Sequence, residues 1–110
     1  ILSTATGSTG YSLSAGGPIL HPGAGEFLML PILPHLSLAY TLVLPASVTV
    51  ELYIDAAHMT TLSIDGHTNQ PVSSGSMLTV RKGEKKTRFL RIHTGESFYG
   101  NLEKRLKGKR

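Results

Sequence analysis

The sequence predicts an all-β fold, a β-sandwich of short antiparallel strands with a short helical piece near its start and a helix at its end. Apolar and polar residues alternate along Val48–Ile54, as they do in a half-buried strand. Turn sequences separate the apolar runs about every eight to twelve residues, a spacing typical of sandwiches. Only the last stretch changes to a helical period, so helices are expected to be minor elements.

The predicted elements begin with the end of a strand at residues 1–3. A helical piece is expected over Ser8–Ala15, because the Gly-Gly-Pro sequence that follows stops a helix. Glu26–Leu30 is almost entirely apolar, which indicates a strand that is buried on both faces. Leu42–Leu44 is expected to form a short buried strand.

The second half of the chain is expected to form hairpins. Asp65-Gly66 is a strong hairpin turn, and Ser74-Gly75 favours another turn. The strands predicted around these turns are Val48–Ile54, Thr61–Ile64, Asn69–Val72, Met77–Arg81 and Thr87–His93.

The end of the chain predicts a helix of about ten residues, because apolar residues recur at every fourth position from Phe98 to Leu106. Glu103 and Lys107 have the i,i+4 spacing of an exposed ion pair. We expect Phe98 and Tyr99 to anchor this helix to the sandwich.

The stretch Thr6–Pro18, which we call the elbow, contains four glycines and five Ser or Thr residues. Glycine lets a backbone come close to a ligand, and a hydroxyl side chain can cap the start of a helix. We therefore expect Thr6 or Ser8 to be a cap and the helix start to be open to a polar or anionic ligand. The elbow is not a P-loop, since no Lys follows its glycines.

Residues 3–18 read S-T-A-T-G-S-T-G-Y-S-L-S-A-G-G-P, which resembles the motif S-T-P-T-G-S-T-A-Y-S-L-S-A-G-G-P of the NAD kinase family. Only Ala5 and Gly10 depart from it. Shorter similarities follow in order at residues 31–35, 42–45, 63–66 and 98–99. The resemblance therefore covers most of the chain.

This resemblance implies the C-terminal domain of an NAD kinase, which phosphorylates the 2′-hydroxyl of the adenosine ribose of NAD. In the family, a G-G-D-G-T motif in the N-terminal domain provides the catalytic Asp, and this sequence contains no such motif. We expect residues 1–110 to form the dinucleotide-binding domain, with no catalytic residue of their own. NAD is the implied substrate, and ATP or polyphosphate with a divalent metal such as Mg²⁺ would act mainly through the absent domain.

The same resemblance implies that Thr9, Gly10, Tyr11 and Ser14 line the adenine end of the bound NAD. Their chemistry suits this role, because hydroxyls exchange hydrogen bonds and a tyrosine ring can stack. We expect no metal ligands here, since the five His residues lack ligand spacing and the acids are scattered singly.

Three further residues match positions of the family, and two of them also have a purely structural interpretation. His35 is either a hydrogen-bonded structural residue or lies near the nucleotide pocket, as its P-x-x-P-H context does in the family. Asp65 is a turn residue that also matches the family's D-G turn. His58 lies in a loop that can reach a neighbouring subunit's ligand in the family.

The Arg that usually precedes the L-V-L-P sequence in the family is missing from this sequence.

Charge is divided unevenly along the chain. All eleven Lys and Arg residues lie in 81–110 together with three acids, while residues 1–80 hold the other four acids. A basic stretch can attract nucleic acid, but these cations are interrupted and lack an aromatic platform, so we expect no nucleic-acid partner. The alternatives are a β-sandwich interaction module that uses this basic third, or the C-terminal domain of a related lipid kinase.

The sequence has no Cys and no apolar run of about 18 residues or more, so we expect neither disulfides nor a membrane span. The chain opens with Ile1 rather than Met, and we expect it to begin inside a longer protein. We expect a cytoplasmic location and a homo-oligomer, because the family's sites are often completed by a neighbouring subunit.

Overall fold

A computed structural model describes residues 1–32, 40–88, 90 and 98–107. Its strands are β1 (Leu2–Ser3), β2 (Phe27–Met29), β3 (Leu42–Leu44), β4 (Val50–Tyr53), β5 (Thr60–Ile64), β6 (Thr68–Val72) and β7 (Met77–Val80). Its helices are a 3₁₀-helix (Thr6–Thr9), α1 (Tyr11–Ser14) and α2 (Phe98–Lys107). The strand pairs are antiparallel, which confirms the predicted all-β class with minor helices. The chain forms two compact units, residues 1–46 with 84–110, and residues 47–83.

The first unit contains a three-stranded sheet in the order β1-β2-β3. Leu28 pairs with Ser3 on one side and with Val43 on the other, so β2 is the central strand. Phe27, Leu28 and Leu30 are buried, as predicted for the apolar run. A central strand reaches this burial because both of its edges are already covered.

The expected burial of β3 is wrong. The strand forms and pairs with β2, but the side chains of Leu42 and Val43 are exposed. The physical reason is its place in the sheet: β3 is an edge strand with a single paired neighbour among the described residues. A short apolar run does not distinguish a central strand from an edge strand.

The second unit is a two-stranded ribbon, which we define as residues 50–80. β4 pairs with β7, and β5 pairs with β6 farther along the same two arms. Ile54 donates its N–H to the carbonyl of Ser76 at 2.9 Å, and Gly75 donates to the carbonyl of Ile54 at 2.7 Å. Two residues of one arm therefore oppose one residue of the other, with Gly75 at φ 89°. This is a β-bulge of the kind that needs glycine, and such bulges bend a strand.

The two faces of the ribbon differ as the alternation predicts. Side chains on one face of β4 and β7, such as Leu52 and Leu78, are half-buried, whereas Tyr53 and Met77 on the other face are exposed. Asp65 and Gly66 have φ values of 52° and 76°, which confirms the predicted tight turn between β5 and β6.

The C-terminal helix forms over the predicted span, with Glu103 and Lys107 paired on its surface. Its first two residues do act as an anchor, since the rings of Phe98 and Tyr99 lie 5.3 and 5.6 Å from the ring of His21. Most of the strand predicted at Thr87–His93 lies outside the described residues, as does His35. No helix in the described part of the chain has the length and apolar character needed to cross a bilayer.

Candidate functional site

The elbow consists of two short helical turns. The 3₁₀-helix ends at Thr9, and α1 begins at Tyr11, with Gly10 between them. Ser14 donates its N–H to the carbonyl of Gly10 at 3.2 Å, which closes the second turn. Such short pieces are marginal by themselves, because starting a helix is costly and only a few bonds follow. The elbow must therefore be held by contacts with the rest of the first unit.

The predicted role of Thr6 or Ser8 as a cap is wrong. Ala5 and Gly10 occupy the cap positions, and neither makes a side-chain cap bond. Ser8 lies inside the 3₁₀ turn, where its hydroxyl donates to the carbonyl of Ala5 at 2.7 Å. The same oxygen accepts the N–H of Leu20 at 2.9 Å. Ser8 thus joins the elbow to the chain segment that follows it.

The inward face of the elbow is built from small residues. Ser8 is fully buried, Ser12 is 1% exposed, and Ala5 and Gly17 are also buried. A Cβ added to Gly17 would lie 2.5 Å from the hydroxyl oxygen of Ser12 and 2.9 Å from its carbonyl oxygen. The α1 turn and the Gly16-Gly17 turn, both within the elbow, are therefore packed almost backbone to backbone, which only small side chains permit.

The outward face carries the four residues that the sequence singled out. Tyr11 is 68% exposed, Gly10 and Ser14 are exposed, and Thr9 is half-buried. The hydroxyl of Thr9 donates to the carbonyl of Thr6 at 3.4 Å and keeps its lone pairs available. Backbone and side-chain polar groups thus flank an accessible aromatic ring.

Two other residues that the sequence singled out belong to the second unit, whereas the elbow belongs to the first. Asp65 lies in the β5–β6 turn and His58 in the segment between β4 and β5. Gly16 has φ 90°, a left-handed conformation that glycine adopts without strain. Within the described residues, no group of three or more His, Asp or Glu side chains could hold a metal ion.

Sequence reasoning missed two contacts of the elbow and its flank. The bond from Leu20 to Ser8 has no sequence signal, because Ser8 is one of five hydroxyl residues in the elbow. The contact of His21 with Phe98 and Tyr99 joins residues far apart in sequence. Its only signal is the aromatic pair at the start of the C-terminal helix.

Comparison with known proteins identifies the family. The model of the ATP-NAD kinase C-terminal domain matches residues 1–92. This chain belongs to the ATP-NAD kinase C-terminal domain family. The family match contains the whole elbow and β1 to β7, the strands of the described residues, while α2 lies beyond it.

Several curated relatives carry the name NAD kinase. The relative from Dehalococcoides mccartyi strain CBDB1 is 51% identical over 108 residues, which are 98% of this chain and 38% of the relative. The relative from Methylibium petroleiphilum is 40% identical, with 96% of this chain and 35% of the relative covered. The relative from Chloroflexus aurantiacus is 35% identical, with 97% and 39% covered. The chain thus spans well under half the length of these NAD kinases.

Proposed function

We propose that this chain is the dinucleotide-binding part of an NAD kinase, an enzyme that transfers a phosphoryl group to the 2′-hydroxyl of the adenosine ribose of NAD. Membership of the ATP-NAD kinase C-terminal domain family and the names of the relatives support this activity. The observation that carries the site is the outward face of the elbow, where Tyr11 is exposed beside Gly10.

The outward face suits a nucleobase better than a phosphate. A base is flat and uncharged, so it can stack on Tyr11 and exchange hydrogen bonds with Thr9 and Ser14. Gly10 leaves room for the base to approach the backbone. The elbow contains no cation, and residues 1–80 contain no Lys or Arg to neutralise a pyrophosphate. These features support adenine at the elbow, with the phosphates directed elsewhere.

The phosphoryl-transfer machinery belongs, in this proposal, to the part of the enzyme outside this chain. That part would bind the donor, ATP or polyphosphate, and would supply the base that takes the proton from the 2′-hydroxyl. A divalent metal such as Mg²⁺ would neutralise the phosphates when bound. The described residues do not fit a metal site, so we assign them no step that involves one.

A chimera tests the activity directly. The corresponding region of the Dehalococcoides mccartyi relative would be replaced by this chain, which aligns with it over 108 residues. We expect the chimera to convert NAD to NADP with ATP. A folded chimera that binds ATP but forms no NADP would contradict the proposal.

Within the chimera, Tyr11→Ala tests the proposed base contact. Loss of one stacking surface is expected to raise the KM for NAD about tenfold, since a stacked base is worth about 1–3 kcal/mol. Tyr40→Ala is the matched control, because Tyr40 is 66% exposed and has no place in the site. An unchanged KM in Tyr11→Ala would remove Tyr11 from the site.

Titration of the chain with nucleotide fragments locates the bound end. Amide NMR signals of residues 9–14 should shift with NAD and with AMP, and should stay in place with nicotinamide mononucleotide. The reverse preference would contradict the placement of adenine. Shifts confined to the basic segment 82–88 would favour the interaction-module alternative instead.

The proposal includes a homo-oligomer in the cytoplasm. Exposed apolar side chains on strands of both units, such as Val43 and Met77, support self-association. Sedimentation of the active chimera over a wide concentration range tests it, and a monomer at every concentration would contradict it.

A further inference from the structure

We infer that Ser8 is a positioning residue for the proposed nucleobase contact: its buried hydroxyl locks the elbow onto the Leu20 segment and thereby sets the place of Gly10 and Tyr11. This inference rests on the proposed function. Ser8 itself is fully buried and faces away from the outward face, so it does not touch the ligand.

The elbow is linked by hydrogen bonds mostly to itself and to its immediate neighbours. Its other hydrogen bonds among the described residues join groups within residues 3–17, for example Gly17 to Ser12 at 2.8 Å. In the described part of the chain, only the bond from the N–H of Leu20 to the hydroxyl of Ser8 leads beyond that range from the elbow. This bond spans twelve residues and determines how the elbow sits on the chain that follows.

The hydroxyl of Ser8 makes two hydrogen bonds. It donates to the carbonyl of Ala5 and accepts from Leu20, so both of its functions are used. The carbonyl of Ala5 also accepts the N–H of Ser8 at 3.2 Å and keeps that partner if the hydroxyl is removed. The N–H of Leu20 has no such second partner among the described residues. Losing this partner would leave a partly buried donor unpaired, which is unfavourable, so the segment is expected to shift when the hydroxyl is lost.

Ser12 provides a natural contrast. It lies one turn later on the same inward face and is almost as buried, but its hydroxyl has no hydrogen-bond partner among the described residues. Its oxygen lies against Gly17. Two serines of equal size and similar burial therefore differ in their hydrogen bonds: the hydroxyl of Ser8 bonds to Ala5 and Leu20, whereas that of Ser12 has no partner among the described residues.

Ser8 directly precedes the residues of the outward face in the sequence. Thr9 follows Ser8 directly, and Gly10 and Tyr11 come next without an intervening anchor. Gly10 joins the two helical turns and is the most easily deformed point between them. A displaced 3₁₀ turn would therefore move Thr9 and Tyr11 relative to each other, and binding depends on their joint geometry.

The test compares Ser8→Ala with Ser12→Ala in the active chimera, at a temperature where unfolding curves show both variants folded. Ser8→Ala is expected to raise the KM for NAD about tenfold with kcat within about twofold, because loss of the hydroxyl removes both of its hydrogen bonds and part of their free energy appears as weaker binding. Ser12→Ala should leave the KM within about twofold of the parent, since its hydroxyl makes no hydrogen bond with a described residue. A purely structural role would lower the active fraction and hence kcat, and would not change KM.

Hydrogen exchange on the chain itself gives a readout that does not depend on NAD. The amide of Leu20 should be protected in the parent and in Ser12→Ala and should exchange faster in Ser8→Ala. Equal KM values in the two variants, or unchanged protection of Leu20 in Ser8→Ala, would overturn the inference.

A variant that does not fold and a parent chimera that is inactive lead to different conclusions. If Ser8→Ala does not fold, Ser8→Cys replaces it, because a thiol retains a weak donor and acceptor. Its KM for NAD should be higher than that of the parent but less than ten times as high. A KM equal to that of the parent would overturn the inference. An inactive parent chimera contradicts the proposed function, while the exchange measurement still decides whether Ser8 holds the elbow.

Discussion

The elbow and the ribbon are stabilised in opposite ways. The elbow buries small and polar groups, and Ser8 and Ser12 are among its most buried residues. The ribbon has no fully buried residue among positions 50–80, and its cohesion comes from backbone ladders and one half-buried apolar face. Close backbone packing defines one shape and rejects added atoms, whereas a ladder tolerates side-chain changes on its open face. A site that must hold a ligand in one geometry is better built on the first kind of structure.

Glycine has a different role in each region, and this gives the largest expected effect. A Cβ at Gly17 would meet the hydroxyl and carbonyl oxygens of Ser12 and would lie 3.3 Å from the side chain of Leu30. Gly17→Ala should therefore reduce the free energy of unfolding by about 3 kcal/mol, the upper part of the range for overpacking. Urea unfolding of the chain measures this.

The nearest atom in that conflict is the hydroxyl oxygen of Ser12, so the double variant Gly17→Ala with Ser12→Ala should recover part of the loss. The carbonyl of Ser12 remains in the way, and recovery should be incomplete. A loss below about 1 kcal/mol in Gly17→Ala would mean that the elbow relaxes easily, and the contrast with the ribbon would disappear.

Gly75 in the ribbon should give a smaller effect of another origin. It has φ 89°, but a Cβ there would meet nothing within 4 Å. Gly75→Ala is expected to cost about 1–2 kcal/mol through backbone strain alone. Gly75→Asn should cost less, because Asn tolerates the left-handed region better than Ala.

Gly83→Ala is the matched control, since Gly83 has open space and no left-handed φ. Its unfolding midpoint should equal that of the parent. If Gly75→Asn were as unfavourable as Gly75→Ala, strain would not be the cause, and the bulge would need another explanation.

The sequence predicted the ribbon well because the information there is local. Alternation identifies a half-buried strand, and Asp65-Gly66 identifies a hairpin turn from two neighbouring residues. Ser74-Gly75 also turns the chain, but it does so as a bulge within one arm, since β6 pairs with β5 and β7 with β4. The prediction was wrong at β3, whose burial depends on its place in the sheet. Strand position is a tertiary property, which a three-residue apolar run does not contain.

The elbow was predictable in its place but not in its internal contacts. Its Gly, Ser and Thr content indicated a turn with short helical pieces, and the resemblance to NAD kinases singled out Thr9, Gly10, Tyr11 and Ser14 as a proposed site. The function of Ser8 could not be predicted, because its partner Leu20 carries no signal in its side chain. Bonds to backbone groups leave little trace in a single sequence.

The smallest effect is expected on the exposed face of the ribbon, which carries Tyr53 and Met77. Tyr53 is 74% exposed, lies opposite Met77, and donates its hydroxyl to Glu51 at 3.1 Å. Tyr53→Thr removes this ring and keeps a strand-forming residue, so it should change the free energy of unfolding by less than about 0.5 kcal/mol. Urea unfolding at two protein concentrations that differ tenfold should give parental midpoints at both. A larger loss that grows with concentration would show that a second chain covers this face. The ribbon would then obtain between two chains the core that it lacks within one chain. It would tolerate side-chain changes only at residues outside that interface.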